Sequence, residues 1–221
     1  MKNASRRLCR WPLLAFLALT SGCDGTISLT IRASEILRVA RDGPSIRHLP
    51  ATIAVNNLEK DEDIAFLKEI LRSPGEPRRV KNGDAEAYCF DVQIPLVSGL
   101  GGKDVVKDAL FSIIAKDSAA SIDLIYAYNQ VVLHDIEEYF FSRYQTRIDP
   151  ADFSIRLGII NDSGRRLSLR CASVYVDGEA YPFEYTTDLD ADARIELVVS
   201  EVLTKAIVGD ENGMEILRIM K

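Results

Sequence analysis

Apolar and polar residues alternate at period two in segments spread along most of the chain, and shorter stretches show the 3.6-residue spacing of helices. Thr26-Ile27-Ser28-Leu29-Thr30-Ile31 reads as a half-buried strand. Strands are likewise expected at Ala51 to Val55 and Ala87 to Val97. Pro95, which has no amide proton to give a neighbour, favours an edge or end position for the latter. Ala109 to Ala115, Ile122 to Tyr128, Phe153 to Ile160 and Leu167 to Val176 continue the pattern. Asp177-Gly178 then marks a tight hairpin, with Tyr181 to Tyr185 as its returning strand. Arg194 to Ile207 reads as strand then helix, and Met214 to Met220 as a short strand or helical end.

Ser34, Glu35, Ile36, Leu37 and Val39 predict a short capped helix, stopped by Asp42-Gly43-Pro44. A second helix opens at Asp61 or Asp63, with Ile64, Leu67, Ile70 and Leu71 on one face, and closes at Ser73-Pro74-Gly75. A third runs from about Gln130 to Tyr144. Adjoining hairpins, with no regular helix-strand rhythm of a doubly wound fold, predict an α+β class: mostly antiparallel sheet with a few amphipathic helices. Ser98-Gly99-Leu100-Gly101-Gly102-Lys103 marks a junction. The expected organisation is therefore a leader over 1–22, an N-terminal α+β subdomain over 23–98, a Gly-rich junction over 99–108 and a C-terminal α+β subdomain over 109–221. Both halves run strand, helix, strand and further β structure, a pattern compatible with two similar halves.

With 47% hydrophobic and 27% charged residues, the 221-residue chain has globular composition. Its 27 Lys and Arg oppose 33 Asp and Glu for a net charge of -6; four of the bases and none of the acids precede Cys23, so a chain starting at Cys23 carries -10. That field repels phosphate, and no run of Lys and Arg interleaved with aromatics offsets it, so nucleic acid is not an expected partner. Adhesion to anionic lipid through a basic patch is disfavoured for the same reason.

The first 23 residues are ordered as an export signal. Lys2, Arg6, Arg7 and Arg10 are followed by an apolar stretch from Trp11 to Leu19, then by small residues and Cys23. The apolar stretch is about half of the ~20 residues that span hydrocarbon, so it reads as a cleavable segment. Leu19-Thr20-Ser21-Gly22-Cys23 resembles the lipobox of bacterial lipoproteins, with the leucine one place further from the cysteine than usual. The resemblance implies diacylglyceryl transfer to the Cys23 thiol, removal of residues 1–22 by the lipoprotein signal peptidase, and attachment to a membrane by fatty chains of the palmitate kind. A thiol is the side chain that forms the required thioether. Two or three chains, at roughly 0.8 kcal/mol per buried methylene, hold where one does not. Asp24 at the next place implies, in similar lipoproteins of enteric-type bacteria, retention at the inner membrane facing the periplasm. The body beyond the lipobox looks like small lipoproteins of bacteria and their phages that carry no diagnostic motif.

Cys9 leaves with the leader and Cys23 is taken by lipid, which leaves Cys89 and Cys171 as a pair. A disulfide between them in an oxidising envelope and two buried free thiols both fit the sequence. His134 and Glu138 share a helix face at i, i+4, but no third ligand follows at a metal-site spacing, and a solvated polar face is the better account. Gly99-Leu100-Gly101-Gly102-Lys103 lacks the first glycine and the Ser/Thr of a phosphate loop. Asp188, Asp190 and Asp192 lack the glycine and glutamate of a calcium loop. His48 has no acidic sequence neighbour to orient it.

No catalytic, cofactor or metal residue is therefore assigned. The expectation is a membrane-anchored envelope lipoprotein with a non-catalytic binding or assembly role and a protein partner in the envelope. The rival is an envelope hydrolase acting on cell-wall or lipid material, which would gather His134 or His48 with carboxylates in a cleft. The tract Tyr126, Tyr128, Tyr139, Phe140, Phe141 and Tyr144 fits either core or a partner-binding surface.

Overall fold

Alternation along β1 (Gly25–Arg32) buries Ile27, Leu29 and Ile31 and leaves the residues between them on the other face. Most of the strands that follow do the same, and their apolar faces all turn to one interior. A computed structural model describes residues 24–82, 85–99, 108–145, 152–210 and 212–221. After β1 come α1 (Ala33–Arg41), β2 (Ile46–Asn56), α2 (Asp61–Ile70), β3 (Arg78–Asn82) and β4 (Ala85–Ser98). Next are β5 (Phe111–Asp117), β6 (Ser121–Tyr128), α3 (Gln130–Tyr144), β7 (Phe153–Ile160) and β8 (Leu167–Val176). The chain ends with β9 (Glu179–Leu189), β10 (Arg194–Val199), α4 (Glu201–Gly209) and β11 (Met214–Met220).

Nine strands close a barrel in the order β10-β7-β1-β2-β4-β5-β6-β11-β8, with β8 pairing back to β10. Two strands lie outside the ring: among the described residues β3 pairs only with β4, and β9 only with β8. This corrects the expected α+β class. The described chain is 52% strand and 25% helix, the helices are four short ones, and the sheet is a closed barrel. The two similar halves also fail as an architecture. β1 pairs in parallel with β7 from the far side of the junction, so strands of both expected segments share one ring.

Seven of the nine ring pairings are antiparallel, and two, β1–β7 and β4–β5, are parallel. An odd number of reversals cannot close on straight strands. β8 supplies the bend: its register against β9 shifts between Ala172 and Val174, and Ser173 has φ 55, a bulge conformation that turns a strand. Residues before the bulge pair with β11, and Val174–Val176 pair with β10. The thinnest seam is at β4. Residues 85–89 pair with β3 and 96–98 with β5, so Pro95 sits in the stretch left open between them. Its missing amide proton costs nothing there.

The interior is packed. Phe90, Phe111, Tyr126, Ile113, Leu124 and Leu217 are at most 1% exposed, and a fully buried side chain of this kind contributes roughly 1.5–3 kcal/mol. Polar side chains face outward, the reverse of the outward apolar band of a membrane-spanning barrel. Among the described residues no helix is long and apolar enough to cross a membrane.

Helices cover both ends. α1 packs against β1, β4 and β5. Its N-terminus is capped from afar: Ser34, expected to cap, lies inside the helix, and its amide and hydroxyl donate to the Asp162 carboxylate at 2.8 and 2.7 Å. At the other end α2 and α3 lie over Ile27, Val55, Tyr128 and Phe153, leaving a void of only about 30 Å³. Asn129 caps α3 by accepting from Val131 N at 3.1 Å, and Ser200 caps α4 through Leu203 N at 3.3 Å.

Candidate functional site

The residues singled out in sequence do not converge. Cys23 and the leader lie outside the described residues. Asp24 is exposed and tied to β2, its carbonyl accepting from Asn56 N at 2.9 Å and its carboxylate from Asn56 Nδ2 at 3.1 Å. Cys89 and Cys171 are both free thiols, so the bridge is absent. The reason is placement: Cys89 is on the outer side of β4, whereas Cys171 is buried on the inner side of β8, four strands away around the ring. Burial pushes the Cys171 thiol up to about 11.

His134 and Glu138 are about three-quarters exposed and 4.0 Å apart. Among the described residues no three His, Cys, Asp or Glu side chains gather as a metal set. Asp188 and Asp190 pair with Arg166 at 3.0 and 3.4 Å, and Asp192 is a turn residue with φ 65. Of the Gly-rich junction, residues 100–107 lie outside the described residues.

Three places on the surface have shape or chemistry. A cavity of about 250 Å³ opens at the β4–β5 seam, where His48 and Gln93 share a wall with Arg72 and Asp108. Those last two form an ion pair at 2.8 Å. Among the described residues the lining includes no hydroxyl or thiol beside His48, and its carboxylate is Asp108, already paired with Arg72. A shallower groove of about 470 Å³ crosses the outer faces of β10, β7, β1, β2 and β4. Gly158 floors it, since a Cβ there would come within 2.9 Å of Thr30 Oγ1. Arg156 and Arg194 reach Glu196 only at 3.9 and 3.8 Å.

The expected aromatic tract divides between two roles. Tyr126 and Tyr128 line the barrel, where burial pushes both phenols up and neither hydroxyl meets a partner of ordinary geometry. Tyr139 and Tyr144 leave the barrel to grip α2. Tyr139 donates to Asp63 Oδ1 at 3.1 Å, Tyr144 donates to Asp63 Oδ2, and Arg143 Nε lies 3.7 Å from the same carboxylate. Phe66 stacks on Tyr139 with centroids 3.6 Å apart. Asp63 is 3% exposed, and a buried carboxylate so satisfied is a clasp between two helices. Burial, then the bond to Asp63, pushes the Tyr139 phenol up.

The third place is the pair of strands outside the ring. Among the described residues the second edge of β9 is unpaired over its 11 residues, and the strand carries Tyr181, Phe183 and Tyr185. Tyr181 and Tyr185 rings lie 4.1 Å apart, and Phe183 is 85% exposed, more than any other large apolar side chain described. The bulge at Ser173, whose hydroxyl donates to Pro182 O at 3.2 Å, lies beside Phe183, while Tyr181 and Tyr185 are partly buried against the core. The sequence marks the hairpin and its returning strand without setting its aromatics apart. Their exposure was missed because alternation identifies a face and not what covers it. β3 was missed altogether. Its signal was the basic run Arg78-Arg79-Val80-Lys81, which carries one apolar residue and so shows no strand period.

Comparison with known families finds a match to the Domain of unknown function (DUF7424) over residues 78–220. These residues span β3 to β11. No curated protein and no solved structure matches the chain.

Proposed function

The chain belongs to the DUF7424 family, and from its residues we propose that it is a lipid-anchored module of a bacterial envelope that binds a protein partner without catalysing a reaction. The anchor is the lipid on Cys23, with Asp24 favouring the inner membrane. Only Asp24 separates Cys23 from β1, a reach of roughly 7 Å for two extended residues. The barrel end where β1 begins, under α2 and α3, therefore faces the lipid. The partner-binding surface is the β8–β9 ribbon. The observation that carries this assignment is Phe183, 85% exposed on a strand with a free edge. Exposed aromatics beside unpaired backbone groups are what an extended partner segment uses. The hydrolase reading has less support, because Asp108, the carboxylate that lines the seam cavity with His48, is held in an ion pair with Arg72.

The test is to express the full precursor and a Cys23→Ser variant, label cells with a palmitate analogue, and fractionate the membranes. Label on the unaltered chain alone, in the inner membrane, is the expected result. Absence of label sinks the anchor, and label in the outer membrane sinks the role given to Asp24.

A further inference from the structure

The two strands outside the ring carry opposite charge. β3 contributes Arg78, Arg79 and Lys81, all exposed, and Val80 at 41% exposure. β9 carries Glu179, Glu184 and Asp188. Within one copy they cannot meet: β3 hangs from β4 and β9 from β8, which are four strands apart around the barrel. We propose that the free edge of β9 receives β3 of a second copy, so that copies join head to tail. This rests on the reading of the β8–β9 ribbon as the binding surface and names its occupant.

The side-chain patterns match as well as the charges. Successive residues of a strand alternate between faces, so Arg79 and Lys81 share one face of β3 and Val80 lies on the other. On β9 after the register shift, Glu184 and Asp188 share a face and Tyr185 lies on the opposite one, with the exposed Phe183 beside them. Antiparallel addition with Lys81 opposite Glu184 sets Val80 opposite Tyr185 and Arg79 opposite Thr186, from where Arg79 reaches Asp188 diagonally. The native charges are held loosely enough to be shared. Arg79 pairs with Glu86, Glu184 with Arg170 and Asp188 with Arg166, but these side chains are 44–66% exposed. Two copies of β9 pairing with each other would instead bring acids together, which cross-strand electrostatics disfavours. Because the two joined patches differ, the contact is heterologous and each copy keeps one free end of either kind, so assembly continues into a row.

The experiment places a photo-crosslinking phenylalanine analogue at position 183 of the full-length protein in producing cells and maps the adducts by mass spectrometry. The expected result is a ladder of multiples of the chain, with the crosslink on residues 78–82 of another copy. Arg79→Glu with Lys81→Glu lowers its yield roughly tenfold, as does Glu184→Lys with Asp188→Lys. Co-expressing the two reversed forms restores it, which neither misfolding nor lost expression would do. Adducts on other proteins only would overturn the copy-to-copy contact and leave the ribbon as a binding surface. No adduct at all would overturn both.

Discussion

The barrel wall and the β8–β9 ribbon use aromatic residues at the same period-two spacing and to opposite ends. On β5 and β6, Phe111 and Tyr126 stack at 4.7 Å and are 1% and 0% exposed. On β9, Tyr181 and Tyr185 flank Phe183 at 85% exposure. The strands are alike in chemistry and differ in membership of the ring. A strand of the ring has its apolar face enclosed by the rest of the cylinder, while on β9 Tyr181 and Tyr185 are only partly buried against the core and Phe183 is left outside it. Stability is therefore concentrated in the wall, and the capacity to meet another chain in the ribbon.

Substitutions separate the two. Phe111→Ala is expected to cost about 3–5 kcal/mol in denaturant unfolding, since it leaves a void in a wall that cannot collapse freely. Gly213→Ala comes next, at about 1–3 kcal/mol, because Gly213 has φ 74 and a Cβ there would lie 2.3 Å from Tyr126 O. The Asp162 clamp on α1 sharpens the picture through pH. Burial pushes its carboxyl up, but the Ser34 amide and hydroxyl outweigh that and hold it below the usual range. The stabilisation is thus complete above the unfolded aspartate range and is lost as pH falls through the lowered folded value. Asp162→Asn should cost about 1–2 kcal/mol at neutral pH. It should also remove part of the acid-side loss seen in unfolding at falling pH.

Thiol chemistry gives a smaller contrast. In the native protein an alkylating reagent at mildly alkaline pH should modify Cys89 and leave Cys171, whose buried thiol is pushed to about 11, until the chain is unfolded. Equal native labelling would place Cys171 elsewhere than in the wall. The smallest stability change belongs to Phe183→Ala, within roughly 0.5 kcal/mol of the unaltered protein. The same substitution should abolish association. A loss of stability matching that of Phe111→Ala would show that the ribbon is part of the core.

Much of the local structure was legible. The helix from Gln130 to Tyr144, the strands Phe153–Ile160 and Leu167–Val176, and the Asp177-Gly178 turn fall where periodicity and turn chemistry put them. β2 is longer than expected: it begins at Ile46 and keeps Pro50 on an exposed position, which local propensity alone would have excluded. The class was misread because it depends on partners distant in the chain. Nothing near Thr26 to Ile31 announces that Phe153 to Ile160 will lie beside it in parallel, and without that pairing the same elements look like two α+β halves. The clasp at Asp63 was hidden for the same reason. Its tyrosines lie some 80 positions away, and a carboxylate in a first helical turn ordinarily reads as a solvated end. For the ribbon, the residues were visible in sequence and their surroundings were not.

The parallel register of β1 with β7 also sets an order of events in time. Gly25 meets Phe153, 128 positions further along the chain, whereas the β5–β6 and β8–β9 hairpins form from adjoining segments. Contacts between remote segments form slowly, because the intervening chain must be ordered before the contact repays it. The first of the described strands is thus among the last to be locked. Until β7 exists, a growing or refolding chain carries β1 with one flank bare, and the speed at which that flank is covered sets how long the molecule remains open to mispairing.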